Sequence, residues 1–438
     1  MSVSKKKIEW YLEFVNKHYK KKKSDLDVLF RYEPAKGITQ EEAVGRIASE
    51  GSVGTWTTLP GMPRERIEKL KACAYWYNDK YVKIAYPLEL WETCSVPQIM
   101  SGIAGNIMGM KAIKNLKLID ATFPKEILKH FKGPVYGEDA IRKIFKKKRG
   151  PITSTVIKPK VGYTAKEHAE LGYKIYIGGI DCIKDDENLT NQKFNQFKKR
   201  VSFLAKSRDR AEKETGNIKD AFINVTSPDL KELEKRIKIV HDHGFKYFMI
   251  DIVLSGFTAT QTACELARDY KMAIHAHRAM HATFTRNPKH GISMLFLAKL
   301  SRIMGIDQIH TGTLIGKLEG SKEEIVAMKE MLFSEKIGEK KFVRLEQNFE
   351  HIKPSLPVSS GGLHPGILPD VFKIYGTTNI VLQIGGGVLG HPKGPMAGAK
   401  AVSQSIEAYY LGVKLEEYAK KHKELRQALD KWSHLRPI

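Results

Sequence analysis

Cysteine is scarce in this chain, and its four cysteines are Cys73, Cys94, Cys182 and Cys264. No two of them stand at CxxC spacing, so the sequence indicates neither a zinc ribbon nor a redox-active dithiol. The plain interpretation is a reduced compartment, and we expect a cytoplasmic protein. Apolar runs long enough to cross a bilayer are missing as well, so we expect no membrane association. Because Ile8–Tyr19 contains Glu and Lys, we expect no signal-peptide core there.

Acidic residues are fewer than basic ones, 49 against 73, which gives a formal net charge of +24. Such an excess is compatible with nucleic-acid binding and equally with an enzyme whose substrate carries several phosphates. The basic residues are spread along the chain, and the densest runs, Lys20–Lys23 and Lys146–Arg149, look like solvated segments. No aromatic residues alternate with them as in a nucleic-acid groove. A nucleic-acid partner is therefore disfavoured.

The pattern of the chain changes near residue 135. Residues 1–135 predict an α+β domain, ferredoxin-like, in which Thr39 and Glu42 form the capping box of a helix. Residues 136–438 predict a (β/α)8 barrel with a C-terminal helical tail. The predicted N-terminal helices are Lys6–His18, Thr39–Ala48 and Arg64–Ala74, and the predicted strands are Asp27–Tyr32, Thr55–Thr58 and Tyr81–Tyr86.

Short apolar runs recur after residue 135, and each is followed by a longer helical pattern. Strands that are buried on both faces and joined by crossover helices indicate a parallel sheet. Eight such units over roughly 300 residues favour a closed barrel, with an open doubly wound sheet as the alternative. The runs are Ser154–Lys158, Ile175–Cys182, Ala221–Val225, Tyr247–Val253, Ala273–His277, Gln308–Thr311, Leu356–Ser359 and Ile380–Ile384.

Six of the eight runs end in reactive or flexible residues. The carboxyl ends of barrel strands converge on one mouth, where barrel enzymes have their active sites. Stability alone does not explain so many polar strand ends, so we expect an active barrel. The six ends are Lys158–Lys160, Lys184–Glu187, His277–His281, His310–Thr313, Ser359–Gly362 and Gly385–Gly387.

Lys184–Glu187, which reads KDDE, taken alone would be interpreted as a solvated charge run. At a barrel mouth its three carboxylates instead indicate a site for a hard cation, and oxygen ligands suit Mg2+. The ammonium of Lys184 would repel a metal, but carbamylation by CO2 would convert it into an anionic oxygen ligand. Lys158 and Lys160 are either a strand end with exposed lysines or bases and phosphate contacts within the mouth.

The remaining polar strand ends favour phosphate recognition. His277–His281 has no Glu after its first histidine, so it is not a zinc-protease motif. Two histidines and Arg278 at a strand end are better interpreted as recognition of a phosphate or a diol. Gly312–Gly320 lacks P-loop spacing and instead predicts a hinged lid tipped by Lys317. Ser360–Gly362 and Gly385–Gly387 are either tight turns or backbone N–H groups that hold phosphate.

Taken together, these strings resemble the Rubisco large chain over nearly the whole sequence, in order. The matching segments are Glu50–Thr58, Gly105–Gly109, Lys158–Gly162, Gly178–Asn188, His277–Ala282, His310–Gly320, Ser359–Gly366 and Gln383–Pro395.

The resemblance implies an Mg2+ site made by Lys184, carbamylated by an activating CO2, with Asp186 and Glu187. It also implies Lys158, His277 and Lys317 as catalytic residues, with Lys317 on the mobile loop. The implied substrate-binding residues are Glu50, Thr55, Trp56, Asn106, Lys160, Arg278, His310, Ser360, Gly361, Gly362, Gln383, Gly385 and Gly386.

In this family Glu50 and Asn106 come from the neighbouring subunit, so the resemblance implies a homodimer with shared active sites. The assembly is either that dimer or a ring of dimers, and no small subunit is expected.

The implied reaction is carboxylation of D-ribulose 1,5-bisphosphate by CO2 and water to two 3-phosphoglycerates. Oxygenation by O2 is the implied side reaction. The residues within these motifs are similar to those of archaeal form III chains, which implies a role in AMP and nucleotide salvage. One departure is Val156, where plant-type chains have a hydroxyl residue; it puts one substrate hydrogen bond in doubt. The alternative is a Rubisco-like enolase or isomerase without CO2 fixation, although such proteins typically lose the loop lysine that stands here as Lys317.

Overall fold

The computed structural model describes residues 9–55, 59–312, 322–433 and 435. Its strands are β1 Leu26–Pro34, β2 Cys73–Tyr77, β3 Tyr81–Tyr86, β4 Ile113–Thr122, β5 Ile152–Val156, β6 Cys182–Lys184, β7 Asp220–Phe222, β8 Tyr247–Asp251, β9 Ala273–His277, β10 Gly291–Ile292, β11 Gln308–His310, β12 Lys336–Ile337, β13 Gln347–Asn348, β14 Leu356–Ser360 and β15 Val381–Gln383.

The α-helices are α1 Gln40–Glu50, α2 Arg64–Leu70, α3 Val96–Ala104, α4 Lys125–Leu128, α5 Ala140–Lys143, α6 Ala165–Ile177, α7 Phe197–Thr215, α8 Leu230–Asp242, α9 Ile252–Asp269, α10 Ala282–Thr285, α11 Met294–Met304, α12 Lys322–Phe333, α13 Leu368–Tyr375, α14 Gly386–Leu389, α15 Pro395–Leu411, α16 Leu415–Ala419 and α17 Lys423–Trp432. Short 3-10 helices are Glu9–Phe14, Leu88–Leu90, Asn106–Gly109, Gly137–Asp139 and Pro365–Ile367. Among the described helices, none is long and apolar enough to cross a membrane.

The chain forms two compact units. The first unit contains the described residues of 1–132, 280–303 and 335–352, and the second contains those of 133–279, 304–334 and 353–438. The first unit is therefore built from three separate stretches of sequence.

A mixed five-stranded sheet in the order β10-β4-β1-β3-β2 organises the first unit. The pairs β1–β3, β1–β4 and β2–β3 are antiparallel, and β10 joins β4 in parallel. The predicted strands Asp27–Tyr32 and Tyr81–Tyr86 are confirmed. Thr39 caps α1 as predicted by accepting from the Glu42 N–H at 3.1 Å, but the predicted capping box is not completed, because the Glu42 carboxylate accepts from Arg46 instead.

Three other predictions for this unit need correction or lie partly outside the described residues. In place of a helix over Lys6–His18, the described part is a 3-10 helix that ends at Phe14, because Val15 then bridges to the sheet at Ala74. The helix predicted over Arg64–Ala74 ends at Leu70, since the aromatic-rich run that follows pairs with β3. Of the predicted strand Thr55–Thr58, only Thr55 is described, and it lies outside any strand.

Eight parallel strands form the second unit in the order β7-β6-β5-β15-β14-β11-β9-β8. The two end strands also meet, because Asn224 bridges to Met249 and the Val225 N–H donates to the Met249 carbonyl at 2.9 Å. This ring closure confirms the predicted (β/α)8 barrel and excludes the open sheet. Its strands are buried on both faces, and one apolar cluster includes Phe222, Tyr247 and Val358.

One predicted barrel strand is misplaced. Ile175–Cys182 was expected as a strand, but α6 continues to Ile177 and the strand begins only at Cys182. The apolar run at the end of α6 resembles a strand because its residues would be buried in a helix or in a strand. Within this run Tyr176 donates to the Asp220 carbonyl at 2.7 Å. The turn follows at Gly179, whose φ of +112° suits glycine.

Candidate active site

The carboxyl ends of the barrel strands bring the predicted polar residues to one rim. Lys184 ends β6 and is in register with Val156, two residues before Lys158. Ser360 ends β14 and is in register with Gln383, which ends β15. Because all eight strands are parallel, these side chains lie at the same end of the barrel.

Two carboxylates and three lysines form the centre of this rim. Asp186 is buried, and its Oδ2 accepts from Lys158 Nζ at 2.6 Å. Glu187 Oε1 accepts from Lys160 Nζ at 3.2 Å, while Lys184 Nζ lies 3.9 Å from Glu187 Oε2. Both carboxylates therefore already contact cationic groups, as the ligands of a metal cation would.

Lys184 is 1% exposed and donates from Nζ to the Asp185 carbonyl at 2.8 Å. Burial lowers the pKa of this lysine, although the neighbouring carboxylates of Glu187, Asp251 and Asp186 act in the opposite direction. A lowered pKa increases the fraction of neutral amine, and the neutral amine is the form that reacts with CO2.

Glu187 is held ionised by its neighbours. Burial acts to raise its pKa, but the nearby His277 and Lys184 outweigh burial and lower the pKa to about 2. His277 Nε2 lies 3.6 Å from Glu187 Oε2. On the other side of its ring, His277 Nδ1 lies 3.0 Å from Asp251 Oδ1, so this carboxylate at the end of β8 orients the imidazole.

Asp185 does not join the other two carboxylates, which corrects the expected set of three. Its Oδ2 accepts from Arg200 Nε and from the Asn224 N–H, both at 3.0 Å. Its Oδ1 lies 3.2 Å from His168 Nε2. Burial acts to raise the pKa of Asp185, but Arg200 and His168 lower it overall. Asp185 therefore belongs to an internal ion-pair network.

A buried row of polar side chains runs through the barrel to Ser360. Gln308 Nε2 lies 2.8 Å from His275 Nδ1, and His275 Nε2 lies 2.9 Å from His310 Nε2. His310 Nδ1 lies 2.8 Å from Ser360 Oγ. Burial lowers the pKa of both histidines well below the usual value, and the nearby cationic groups act in the same direction.

Arg278 is a buried guanidinium, 7% exposed, for which the described residues provide no ion pair. Burial lowers its pKa to about 10, so it remains a cation at neutral pH. Gly312, with a φ of +83°, leaves room for it, since a Cβ there would lie 3.0 Å from Arg278 Nη2. A buried cation that forms no ion pair with the described residues is suited to an anionic ligand.

Glycines give the last two strand ends their shape. Gly361 and Gly362 have positive φ values of +105° and +72°. Gly385 precedes the short helix α14, and a Cβ there would lie 3.0 Å from Val156 Cγ1. The first N–H groups of such a helix have no partner within it. The buried Gln383 amide beside them also has no hydrogen-bond partner among the described residues.

The other predicted site residues lie in the first unit or outside the described residues. Glu50 ends α1 and Asn106 begins a 3-10 helix, and both are exposed. The segments that carry them are close together, because a Cβ at Gly51 would lie 3.1 Å from the Gly102 carbonyl. Thr55 is half-buried. Trp56 and Lys317 lie outside the described residues.

Sequence reasoning missed Asp251, His275 and Gln308 as functional residues. Asp251 lies within the predicted run Tyr247–Val253, and its signal was a carboxylate near the end of a strand. His275 alternates with His277 along β9, which was interpreted as ordinary strand interior. Gln308 begins β11 and carries no motif.

No group of three or more His, Cys, Asp or Glu side chains in the described part of the chain is arranged to hold a metal ion. Lys184, Asp186 and Glu187 nevertheless fit Mg2+, because one of the three ligands would be a modified lysine. Two carboxylates contact the ammonium groups of Lys158 and Lys160, and the buried Lys184 would provide the third oxygen donor once carbamylated.

A closed parallel barrel with a polar mouth places the chain among the (β/α)8-barrel enzymes. Two family models match it: the N-terminal domain of the ribulose bisphosphate carboxylase large chain over residues 13–127, and the catalytic domain over residues 138–432. The chain therefore belongs to the ribulose bisphosphate carboxylase large-chain family, and the predicted enzyme class is confirmed.

Its relatives include archaeal proteins of full length. The ribulose bisphosphate carboxylase of Pyrococcus abyssi is 49% identical over 440 residues, covering 99% of this chain and 100% of its own length. Among solved structures, the dimeric archaeal Rubisco of Hyperthermus butylicus has a TM-score of 0.92 and 48% identity, covering 97% of this chain and 100% of its own. The octameric enzyme of Pyrococcus horikoshii has a TM-score of 0.90 and 47% identity, covering 99% of each chain.

Proposed function

We propose that the protein carboxylates D-ribulose 1,5-bisphosphate with CO2 and water to give two molecules of 3-phosphoglycerate. The observation that carries this proposal is the buried Lys184 beside Asp186 and Glu187 at the barrel mouth, within a family of carboxylases. Oxygenation by O2 is the expected side reaction, because both gases would meet the same electron-rich intermediate.

In this proposal Lys184, carbamylated by an activating CO2, holds Mg2+ together with Asp186 and Glu187. When bound, Mg2+ supplies a Lewis acid that stabilises negative charge developing on substrate oxygens. The lowered pKa of Lys184 favours formation of the carbamate, and the ionised Glu187 supplies a ligand at neutral pH. The ammonium of Lys158 would be released from Asp186 when the metal binds.

Proton transfer is assigned to Lys158 and His277. Lys158 is partly exposed at the mouth, so its Nζ is accessible to a substrate. His277 is oriented by Asp251, and a hydrogen bond at Nδ1 leaves Nε2 facing the mouth as an acid or base. Lys160 lies beside Glu187, close to the expected position of the substrate. Lys317 is proposed to contact the new carboxylate from its loop.

The two phosphates of the substrate are assigned to two sets of residues. The buried guanidinium of Arg278, which has no ion pair among the described residues, supports the first together with His310 and Ser360. Backbone N–H groups and small residues that admit an anion support the second. Its residues are Thr55, Trp56, Gly361, Gly362, Gln383, Gly385 and Gly386.

The proposed active unit is a homodimer in which Glu50 and Asn106 complete the neighbouring subunit's site. Both side chains are exposed in the first unit, which supports a contact outside their own chain. The dimeric and octameric archaeal relatives support either a dimer or a ring of dimers. That no small subunit is needed rests on the family resemblance alone. We keep residues 1–135 and 136–438 as the proposed domains.

The proposed setting is the cytoplasm, which the unpaired state of all four cysteines supports. A role in AMP and nucleotide salvage rests on the similarity to archaeal form III chains alone. Growth of the host on AMP-derived ribose, with and without the gene, would test that role.

The activity is tested by incubating the purified protein with bicarbonate and Mg2+, then adding ribulose bisphosphate and labelled CO2. We expect acid-stable label in 3-phosphoglycerate, and we expect Lys184→Ala to abolish it. Lys198→Ala, an exposed lysine on α7, is the matched control and should retain activity. Absence of label with folded, substrate-binding protein would refute the carboxylase. Solvent-proton exchange at C3 without label would then identify the enolase or isomerase alternative.

A further inference from the structure

Gln308, His275, His310 and Ser360 form a buried row of hydrogen bonds. In this row the donor and acceptor roles at one end determine those at the other. Gln308 and His275 are fully buried, and the three links measure 2.8, 2.9 and 2.8 Å. The His275 ring is also fixed in place, because it stacks on Phe222 with ring centroids 4.3 Å apart. The imidazole positions are therefore fixed, and the direction of donation along the row depends on where its protons lie and on which atom of the Gln308 amide faces His275.

Each imidazole in this row is neutral, so it has one N–H donor and one acceptor nitrogen. If Nδ1 of His275 accepts a hydrogen bond, its Nε2 must carry the proton and donate to His310. His310 then carries its own proton on Nδ1 and donates to Ser360. If Nδ1 of His275 instead carries the proton, every link reverses.

The direction of the row determines what Ser360 can offer to a ligand. When His310 donates to the serine oxygen, the hydroxyl proton is free to donate into the mouth. When the row is reversed, the hydroxyl must donate to His310 and faces the mouth only as an acceptor. An anionic phosphate binds the first form and is repelled by the lone pairs of the second.

Gln308 stands at the start of the row, with its amide nitrogen facing His275 Nδ1. We propose that Gln308 is a positioning residue that, through His275, holds His310 in the Nδ1–H form and so keeps the Ser360 hydroxyl as a phosphate donor. Gln308 acts from within the barrel, three hydrogen bonds away from the serine. This inference rests on the proposed function, in which Ser360 faces one phosphate of the substrate.

Gln308→Glu is the sharpest test, because a carboxylate has nearly the same shape but its oxygen accepts rather than donates. The expected result is reversal of the row and a rise of about 10- to 100-fold in KM for ribulose bisphosphate, the loss of one hydrogen bond to a charged group. We expect kcat to change much less. Gln427→Glu on α17 is the matched control and should leave KM unchanged.

The tautomers are read directly by long-range proton–nitrogen NMR of the full-length protein labelled with 15N-histidine. Single His275→Gln and His310→Gln variants assign the signals. The wild type should show His275 protonated at Nε2 and His310 at Nδ1, and Gln308→Glu should show the opposite pair. A wild type with His275 protonated at Nδ1, or unchanged tautomers in a Gln308→Glu variant whose new carboxyl group is ionised, would overturn the proposal.

If Gln308→Glu does not fold, Gln308→Leu replaces it. Without a partner at His275 Nδ1 the row should populate both directions, and averaged nitrogen shifts are expected; a folded leucine variant with wild-type tautomers would also overturn the proposal. The NMR measurement requires no turnover, so its outcome is independent of whether the protein carboxylates ribulose bisphosphate. Correct tautomers in a protein without carboxylase activity would reject the proposed function and leave the role of Gln308 standing.

Discussion

Replacing Arg200 with methionine should destabilise the barrel strongly. Arg200 is fully buried on α7 and donates to Asp185 Oδ2 at 3.0 Å, to Asn195 at 3.1 Å and to the Thr190 carbonyl at 2.8 Å. Methionine retains much of the side-chain volume but leaves the Asp185 carboxylate buried without its cation. Removing one partner of a buried ion pair costs about 3–5 kcal/mol, and we expect the free energy of unfolding to fall by that amount.

Arg210→Met is the matched control, because Arg210 lies on the same helix and pairs with Glu170 at 3.1 Å while both side chains are half exposed. An exposed pair of this kind contributes about 0–1 kcal/mol. Urea unfolding followed by circular dichroism, at one pH and one protein concentration, compares the two variants with the wild type. Adding Asp185→Asn to Arg200→Met should recover part of the loss, since it removes the unpaired charge.

The result that would refute this reasoning is an Arg200→Met variant that loses no more stability than Arg210→Met. A double variant with Asp185→Asn that is no more stable than Arg200→Met alone would show that the lost guanidinium contacts, and not the unpaired carboxylate, account for the cost.

Three further predictions concern the mouth and the base of the barrel. Asp251→Asn should lower kcat about 10- to 100-fold in the labelled-CO2 assay, because the amide no longer stabilises the imidazolium of His277; unchanged kcat would contradict this role. Burial raises the pKa of Asp220 to about 7, so its contribution to stability is fully present below its ordinary pKa and is lost as pH rises through 7. In urea titrations, the free energy of unfolding of the wild type should therefore fall relative to that of Asp220→Asn between about pH 4 and 7. If the two free energies change in parallel with pH, the prediction is wrong. Gly385→Ala should raise KM for ribulose bisphosphate, because the new Cβ would lie 3.0 Å from Val156 Cγ1, and Val156→Ala in the same chain should restore it; no rescue would exclude this contact as the cause.

The barrel and its central residues were predictable because buried strands have a recognisable pattern in the sequence. Strands covered on both faces are continuous apolar runs, and the polar residues that end them stand out. Lys184, Asp186 and Glu187 were found in this way, as the residues immediately around the end of β6. Their role as metal ligands stays a prediction.

Other features depend on tertiary contacts that leave no local mark. The end of α6 was interpreted as a strand because Ile175 and Tyr176 would be buried in either structure. The sequence does not show that Asp185 and Asp186 have different roles. The Asp185 side chain points away from the mouth because it pairs with Arg200, fifteen residues later. His275 was hidden because a buried polar residue inside a strand is recognised only when its partner on the next strand is known.

The first unit is assembled from three separate stretches of the chain, and this has a consequence for folding during synthesis. Asp120 is fully buried and accepts from Lys299 at 2.8 Å and from the Leu345 N–H at 2.8 Å. A ribosome that has completed β4 must therefore add more than two hundred residues before this carboxylate has all its partners. The N-terminal sheet emerges first but is completed late, and during that interval its unpaired edge at β4 is exposed to other nascent chains. A fragment ending at Lys132 would keep that vulnerable state permanently.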